Sequence, residues 1–364
     1  MSPLPDAQHA WEATFHTDAR GRPVAPRFHR LLMLDVRGTP TAADAERLET
    51  ALRTLEQRFE YGPAGLLTCL GWGAAWFETH TSLPSPIARP LPMAAWEDPV
   101  LEDIHACLHL ASDDEARLEL VTEALFGPGP LDQRSRLSLA ETRTGFVGQG
   151  LVAERVTAAN IPDDSPLLLG FHSGLRGNQA TERDITIADG PLARGTTMQV
   201  SRIAIDLERW YAHDIERRAA LMYSPATSAR DAAALIDDAP SAADRLPALA
   251  ARHGAVGHAQ AAGRARLHGR PRINRRDFAT LDDGRPGTHF VSLQRSIEDF
   301  NATRAVMNAA DARTHHPHIG TRDNNGINAF IEITSRATFA VPPRPRRAYP
   351  HRQEGPTHDR STRT

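Results

Sequence analysis

Lysine is absent from this chain, so all 42 of its basic residues are arginine. That is a bias of composition and carries no functional conclusion by itself. Cysteine is almost absent: Cys69 and Cys107 are the only two, both in segments that read as strands, which suits buried thiols and a reducing, cytoplasmic setting better than a disulfide framework. Neither sign of charge dominates. A formal net charge of -3 argues against a nucleic-acid partner. Met1 to Arg20 has neither a charged lead nor an apolar central stretch, so no secretory or membrane-spanning segment is expected there.

What is present is ordinary globular material, with 40% hydrophobic and 24% charged residues over 364 positions. That length supplies a core and a buried cofactor, and an α+β fold built from a duplicated unit reaches it as one body. Residues 1–26 read as an irregular, proline-rich lead-in. A dense apolar run then predicts a strand over His29 to Arg37. Ala45, Leu48, Leu52 and Leu55 recur at helical spacing in a helix over Ala42 to Phe59, with Thr41 as its N-cap. Strands over Leu66 to Leu70 and Ile104 to Ala111 follow. A helix over Asp113 to Phe126, capped by Asp113-Asp114, is stopped by Gly127-Pro128-Gly129-Pro130.

The order repeats in the second part of the chain: a strand over Thr197 to Asp206, a helix over Leu207 to Leu221, a strand over Thr288 to Leu293, a helix over Ile297 to Ala309 and a last strand over Ile327 to Thr334. Alanine-rich 226–249 reads as a surface helix with loops. The expected architecture is α+β, two ferredoxin-like halves of the dimeric α+β barrel type, over 27–160 and 161–342. Residues 343–364 mix Arg, Pro, His and Gly without periodicity and read as a disordered tail.

The chemistry sits in the second half. After the apolar run 166–169 comes Gly170-Phe171-His172-Ser173-Gly174, a glycine-flanked turn of the kind that lets backbone approach a flat cofactor. Some eighty residues later stands Gly257-His258-Ala259-Gln260, then Arg275-Arg276. A neutral imidazole is a usual axial ligand of haem iron, and an arginine supplies a fixed positive charge over the opposite face.

With these residues the chain resembles the dye-decolourising (DyP-type) haem peroxidases over residues 27–342. The hallmark of that family is a Gly-x-x-Asp-Gly loop on the distal side of the haem. Here the loop is Gly170 to Gly174, with Ser173 where the family has aspartate. The resemblance implies haem b, His258 as proximal iron ligand, Arg276 as distal arginine, Gly170 and Gly174 beside the cofactor, and a small organic substrate oxidised with peroxide or a related oxidant. Asn178 or Gln179, further along the loop, reads either as a hydrogen-bond partner of a haem propionate or substrate or as turn chemistry. It implies no membrane partner and leaves room for a homo-oligomer.

Ser173 alters the distal step. A hydroxyl does not ionise near neutral pH and is a poor base where a carboxylate would shuttle a proton. His172 is the neighbour able to take that role, although alternation along an extended loop would send 172 and 173 to opposite sides. The serine also admits a non-catalytic haem carrier or sensor, a haem dehydratase-like site, or a scaffold that has lost the cofactor. Trp210-Tyr211 is either an electron relay or packing, and His315-His316-Pro317-His318 reads as a surface loop beside the turn at 323–326.

Overall fold

A computed structural model describes residues 4–19, 21, 23–157, 160–171, 178–234 and 239–351. Its strands are β1 Phe28–Val36, β2 Leu67–Gly73, β3 Val100–Leu101, β4 Ala106–Ser112, β5 Leu137–Phe146, β6 Thr196–Ile205, β7 Arg266–Leu267, β8 Arg270–Pro271, β9 Asn274–Arg275, β10 Phe278–Thr280, β11 Gly287–Gln294 and β12 Ile331–Val341. The main sheet runs β10-β5-β1-β4-β2-β12-β6-β11-β9. Strand β10 pairs with β11 as well as with β5, which closes the sheet into an antiparallel barrel with helices outside. The fold class is α+β, as the alternation of strands and helices implies.

Period-two alternation sorts the side chains. Leu31 and Met33 of β1 face the barrel interior with Cys69, Cys107, Met198 and Phe339. Leu32 and Leu34 face outward, onto Leu48, Leu52 and Leu55 of helix Ala42–Arg58 and Leu118 and Val121 of helix Glu115–Phe126. Burying each such leucine is worth about 1.5–3 kcal/mol. The first helix begins at a capping box: Asp44 Oδ2 accepts from the Thr41 backbone N–H at 2.8 Å, and Thr41 Oγ1 accepts from Asp44 N–H at 3.3 Å. Asp114 caps the second, accepting from Arg117 N–H. Asp113 instead accepts from Arg27 N–H at 2.9 Å, tying the start of β1 to this loop.

Several boundaries differ from the sequence expectation. The helix foreseen over Leu207 to Leu221 is two, Leu207–Tyr211 and Ile215–Met222, because Asp214 starts a new turn by accepting from Arg217 N–H at 2.7 Å. The last strand lies later, over Ile331–Val341, after a 3-10 turn at Asn328–Phe330. Strand β5 was not foreseen.

The tail requires correction. Disorder was expected from 343, yet Arg344–Arg346 forms a 3-10 turn, and Arg347 and Tyr349 are buried. Arg347 pairs with Glu56 at 2.6 Å and Glu49 at 3.0 Å, while Trp72 and Trp76 donate to the carbonyls of Arg347 and Pro350. Residues 352–364 lie outside the described residues. The lead-in is irregular but packed: Trp11 is buried, and the Gln8 amide donates to the carbonyls of Leu70 and Pro342 and accepts from Leu70 N–H. Among the described residues no helix is long and apolar enough to cross a membrane.

Candidate functional site

Outward-facing residues of β6 (Ser201, Ile203, Ile205), β11 (Thr288, Phe290) and β12 form the floor of a cleft enclosing about 1210 Å³, part of it open to solvent. A bulge in β12 between Ile333 and Ser335 shifts the alternation by one, so Ile331, Ile333 and Arg336 all share the cleft face. Helix Ile297–Met307 contributes Phe300, Thr303 and Arg304 to one wall. The short helix His258–Ala262 and the segment 167–169 supply the others.

His258 is the first residue of its helix, held there by close backbone packing. A Cβ on Gly257 would stand 2.1 Å from the Tyr223 carbonyl oxygen, and that same carbonyl accepts from Gln260 N–H at 3.0 Å. Gly326, at φ +58°, lies against the His258 backbone. The His258 ring is half-buried, its open surface facing the cleft, and makes no hydrogen bond within the described residues. Burial first, then the charges of Arg275 and Arg304, push it down to about 3. The imidazole is therefore neutral over the physiological range, the form that binds metal.

The arginine pair divides in a way the sequence reading did not foresee. The segment from β9 to β10 is extended, so successive side chains take opposite faces. Arg275 and Asp277 line the His258 cleft. Arg276, expected as the distal arginine, turns away. It pairs with Glu182 at 2.7 Å, donates to the His9 carbonyl and lies with its guanidinium 4.1 Å from the centre of the Trp11 ring. Arg275 is the one of the two on the His258 cleft, and its Nε donates to Gln179 Oε1 at 3.3 Å.

Of the loop, the structure describes Gly170 and Phe171; His172, Ser173 and Gly174 lie outside the described residues. Gly170 has φ +82°, and a Cβ there would meet the Tyr211 hydroxyl at 3.0 Å, so this position favours glycine twice over. Trp210 and Tyr211 hold the approach to the loop: the indole N–H donates to Leu169 O at 3.0 Å and the hydroxyl to Leu168 O at 2.8 Å. Asn178 faces a smaller cavity that shares His258, and its amide donates to Ala259 O at 3.3 Å, bracing the histidine helix.

Three charged groups at the cleft escaped the sequence reading. Arg304 and Arg336 converge on Glu97, at 2.6 and 3.1 Å, with all three buried. Burial lowers both guanidinium pKa values, with Glu97 opposing the shift. Asp277 is the third. The only signal for it in the sequence is its place two residues after Arg275. Cation and acid thus stand near a neutral imidazole in a largely apolar cleft. A planar, anionic prosthetic group fits this donor set: an imidazole without a hydrogen bond among the described residues for its metal, apolar walls for its ring, and arginines for its carboxylates.

Residues 26–343 match the family of unknown function DUF7405. The chain belongs to that family. No curated protein matches it. Among solved structures, this DUF7405 member is similar to a dye-decolorizing protein from V. cholerae, with a TM-score of 0.61 and 16% identity over 90% of this chain and 97% of that one. A variant of DypB from Rhodococcus jostii RHA1 in complex with heme gives a TM-score of 0.62 and 16% identity, covering 94% of this chain and 98% of that one. A DyP-type peroxidase from Cellulomonas bogoriensis gives 0.60 and 20%, covering 88% and 90%. At these identities the likeness establishes the fold of the DUF7405 chain and leaves its chemistry to its own residues.

Proposed function

We propose that the protein is a haem-b oxidoreductase of the DyP-type peroxidase kind, which uses hydrogen peroxide or a related oxidant on a small organic substrate. One observation carries this reading: the neutral ring of His258, without a hydrogen bond among the described residues, faces a cleft on a barrel of the fold shared with DypB in complex with heme. In it, His258 would hold the iron, the apolar lining of Ile203, Phe290, Ile331 and Ile333 would accommodate the ring, and Arg304 and Arg336 would offer positive charge to the propionates. Haem bound there would supply peroxide-driven oxidation. The chain's own part is to bind and orient: Arg275 stabilises negative charge on a small oxidant, and the apolar walls exclude bulk water.

Ser173 favours a second reading, a haem carrier or sensor without peroxidase turnover, because the loop lacks the carboxylate that moves the peroxide proton. Haem titration separates both from a cofactor-free scaffold. A Soret band appearing at one equivalent of haem supports a haem protein, and its absence overturns both. Turnover of a phenol or dye with peroxide then favours the oxidoreductase. A loaded protein inert to peroxide favours the carrier.

A further inference from the structure

Among the described residues that line the His258 cleft, Asp277 is the single acid. The glutamate nearest in function, Glu97, is committed to Arg304 and Arg336. Asp277 is half-buried and makes no hydrogen bond or ion pair through its carboxylate within the described residues. Within the described residues this carboxylate is thus left without a partner on a cleft that Arg275, Arg304 and Arg336 also line.

Its position supplies the use. A second cleft of about 1480 Å³, part of it open to solvent, lies under the irregular N-terminal segment, bounded by Trp11, Phe15 and Val24. The residues common to both clefts are Leu167, Arg275 and Asp277. All three therefore stand at the boundary between the second cleft and the His258 side. Extended backbone geometry sets Arg275 and Asp277 on one face, so cation and carboxylate share that boundary.

We propose that Asp277 is the catalytic carboxylate of this site, replacing the acid that position 173 lacks. A small protic acid, H–X, reaches this boundary. Its X–H bond breaks, the proton forms an O–H bond on the Asp277 carboxylate, and the electron pair stays on X. Arg275 holds the resulting anion by charge and hydrogen bonding. Hydrogen peroxide and hydrogen cyanide are both acids of this class. The proposal rests on the haem reading above.

Cyanide tests it without turnover, since it enters as the protonated acid and binds haem as the anion. The experiment follows the Soret shift of haem-loaded protein by stopped flow across pH 5–9 for the wild type, Asp277→Asn and Asp277→Glu. Asp277→Asn is expected to take up haem as the wild type does but to bind cyanide on the order of 100-fold more slowly. Asp277→Glu recovers most of the rate. Wild-type association in Asp277→Asn overturns the proposal and leaves the haem site standing, whereas a wild type that takes no haem overturns both. If Asp277→Asn does not load, Asp277→Ala and Asp277→Glu decide: a slow Ala variant with a Glu variant within about tenfold of wild type supports the carboxylate, and wild-type association in Asp277→Ala overturns it.

Discussion

Arg275 and Arg276 are adjacent in sequence and serve opposite faces of one extended segment: the first lines the His258 cleft, and the second pairs with Glu182 at 2.7 Å against Trp11. The two substitutions therefore separate binding from stability. Arg276→Ala leaves Glu182 partly buried without its cation and should lower urea-unfolding stability by about 3 kcal/mol or more. Arg275→Ala, at a half-buried cleft position, should cost under about 1 kcal/mol while slowing cyanide association in haem-loaded protein at least tenfold. Equal stability losses in the two variants would contradict the assignment.

His29 and His109 form a buried pair, Nδ1 to Nε2 at 3.0 Å, beside Phe278 and Trp11. Burial holds His29 down at about 3 and His109 well below its ordinary range, with the Arg276 charge adding to both. In the unfolded chain both rings take protons below about pH 6.5, while the folded chain leaves them neutral. Stability should be full above pH 6.5 and fall as pH drops from there toward 4.5, by up to about 1.4 kcal/mol per pH unit for each ring. Urea melts at intervals across that window measure the slope. His109→Gln should flatten it, and a stability that is flat from pH 7 to 4.5 would contradict the pair's neutrality.

Gly257→Ala places a methyl 2.1 Å from the Tyr223 carbonyl oxygen, against backbone that has nowhere to move. The His258 helix must shift. Haem affinity should drop at least tenfold, with a stability loss of about 2 kcal/mol, read by haem titration and urea melts. Gly129→Ala, where a Cβ meets nothing within 4 Å, serves as the control.

The C-terminal segment should bear on global stability. Arg347→Ala removes the cation from Glu56 and Glu49 and loosens the chain over Trp72 and Trp76. A loss of about 3–5 kcal/mol is expected in urea melts, and a change under 0.5 kcal/mol would return this segment to the status of a loose tail.

These cases also show what the sequence could and could not convey. Helix Ala42–Arg58 was legible because its signals are local: a leucine stripe at helical spacing and a Thr41-Asp44 box. The barrel strands β1, β2, β4 and β11 announced themselves as apolar runs. Strand β5, Leu137–Phe146, did not, because its middle is exposed and polar, and its partners β1 and β10 are distant in sequence. Arg344 and Arg347 read as solvated residues because composition assigns arginine to water, and the glutamates that bury them lie some 290 positions away. His258 was singled out through its family context, and the fold sets it on the cleft. The Arg275–Arg276 parity could not be: spacing in the chain fixes a position to within one residue, and one residue reverses the face. Asp277 went unremarked for the same reason.

The central claim is that the His258 imidazole holds a haem iron. The most direct test loads His258→Ala with haem and adds free imidazole while the ultraviolet–visible spectrum is followed. The account predicts that the variant takes haem weakly, with an altered Soret band, and that imidazole restores the wild-type spectrum. A His258→Ala protein whose haem spectrum matches the wild type without imidazole would contradict it.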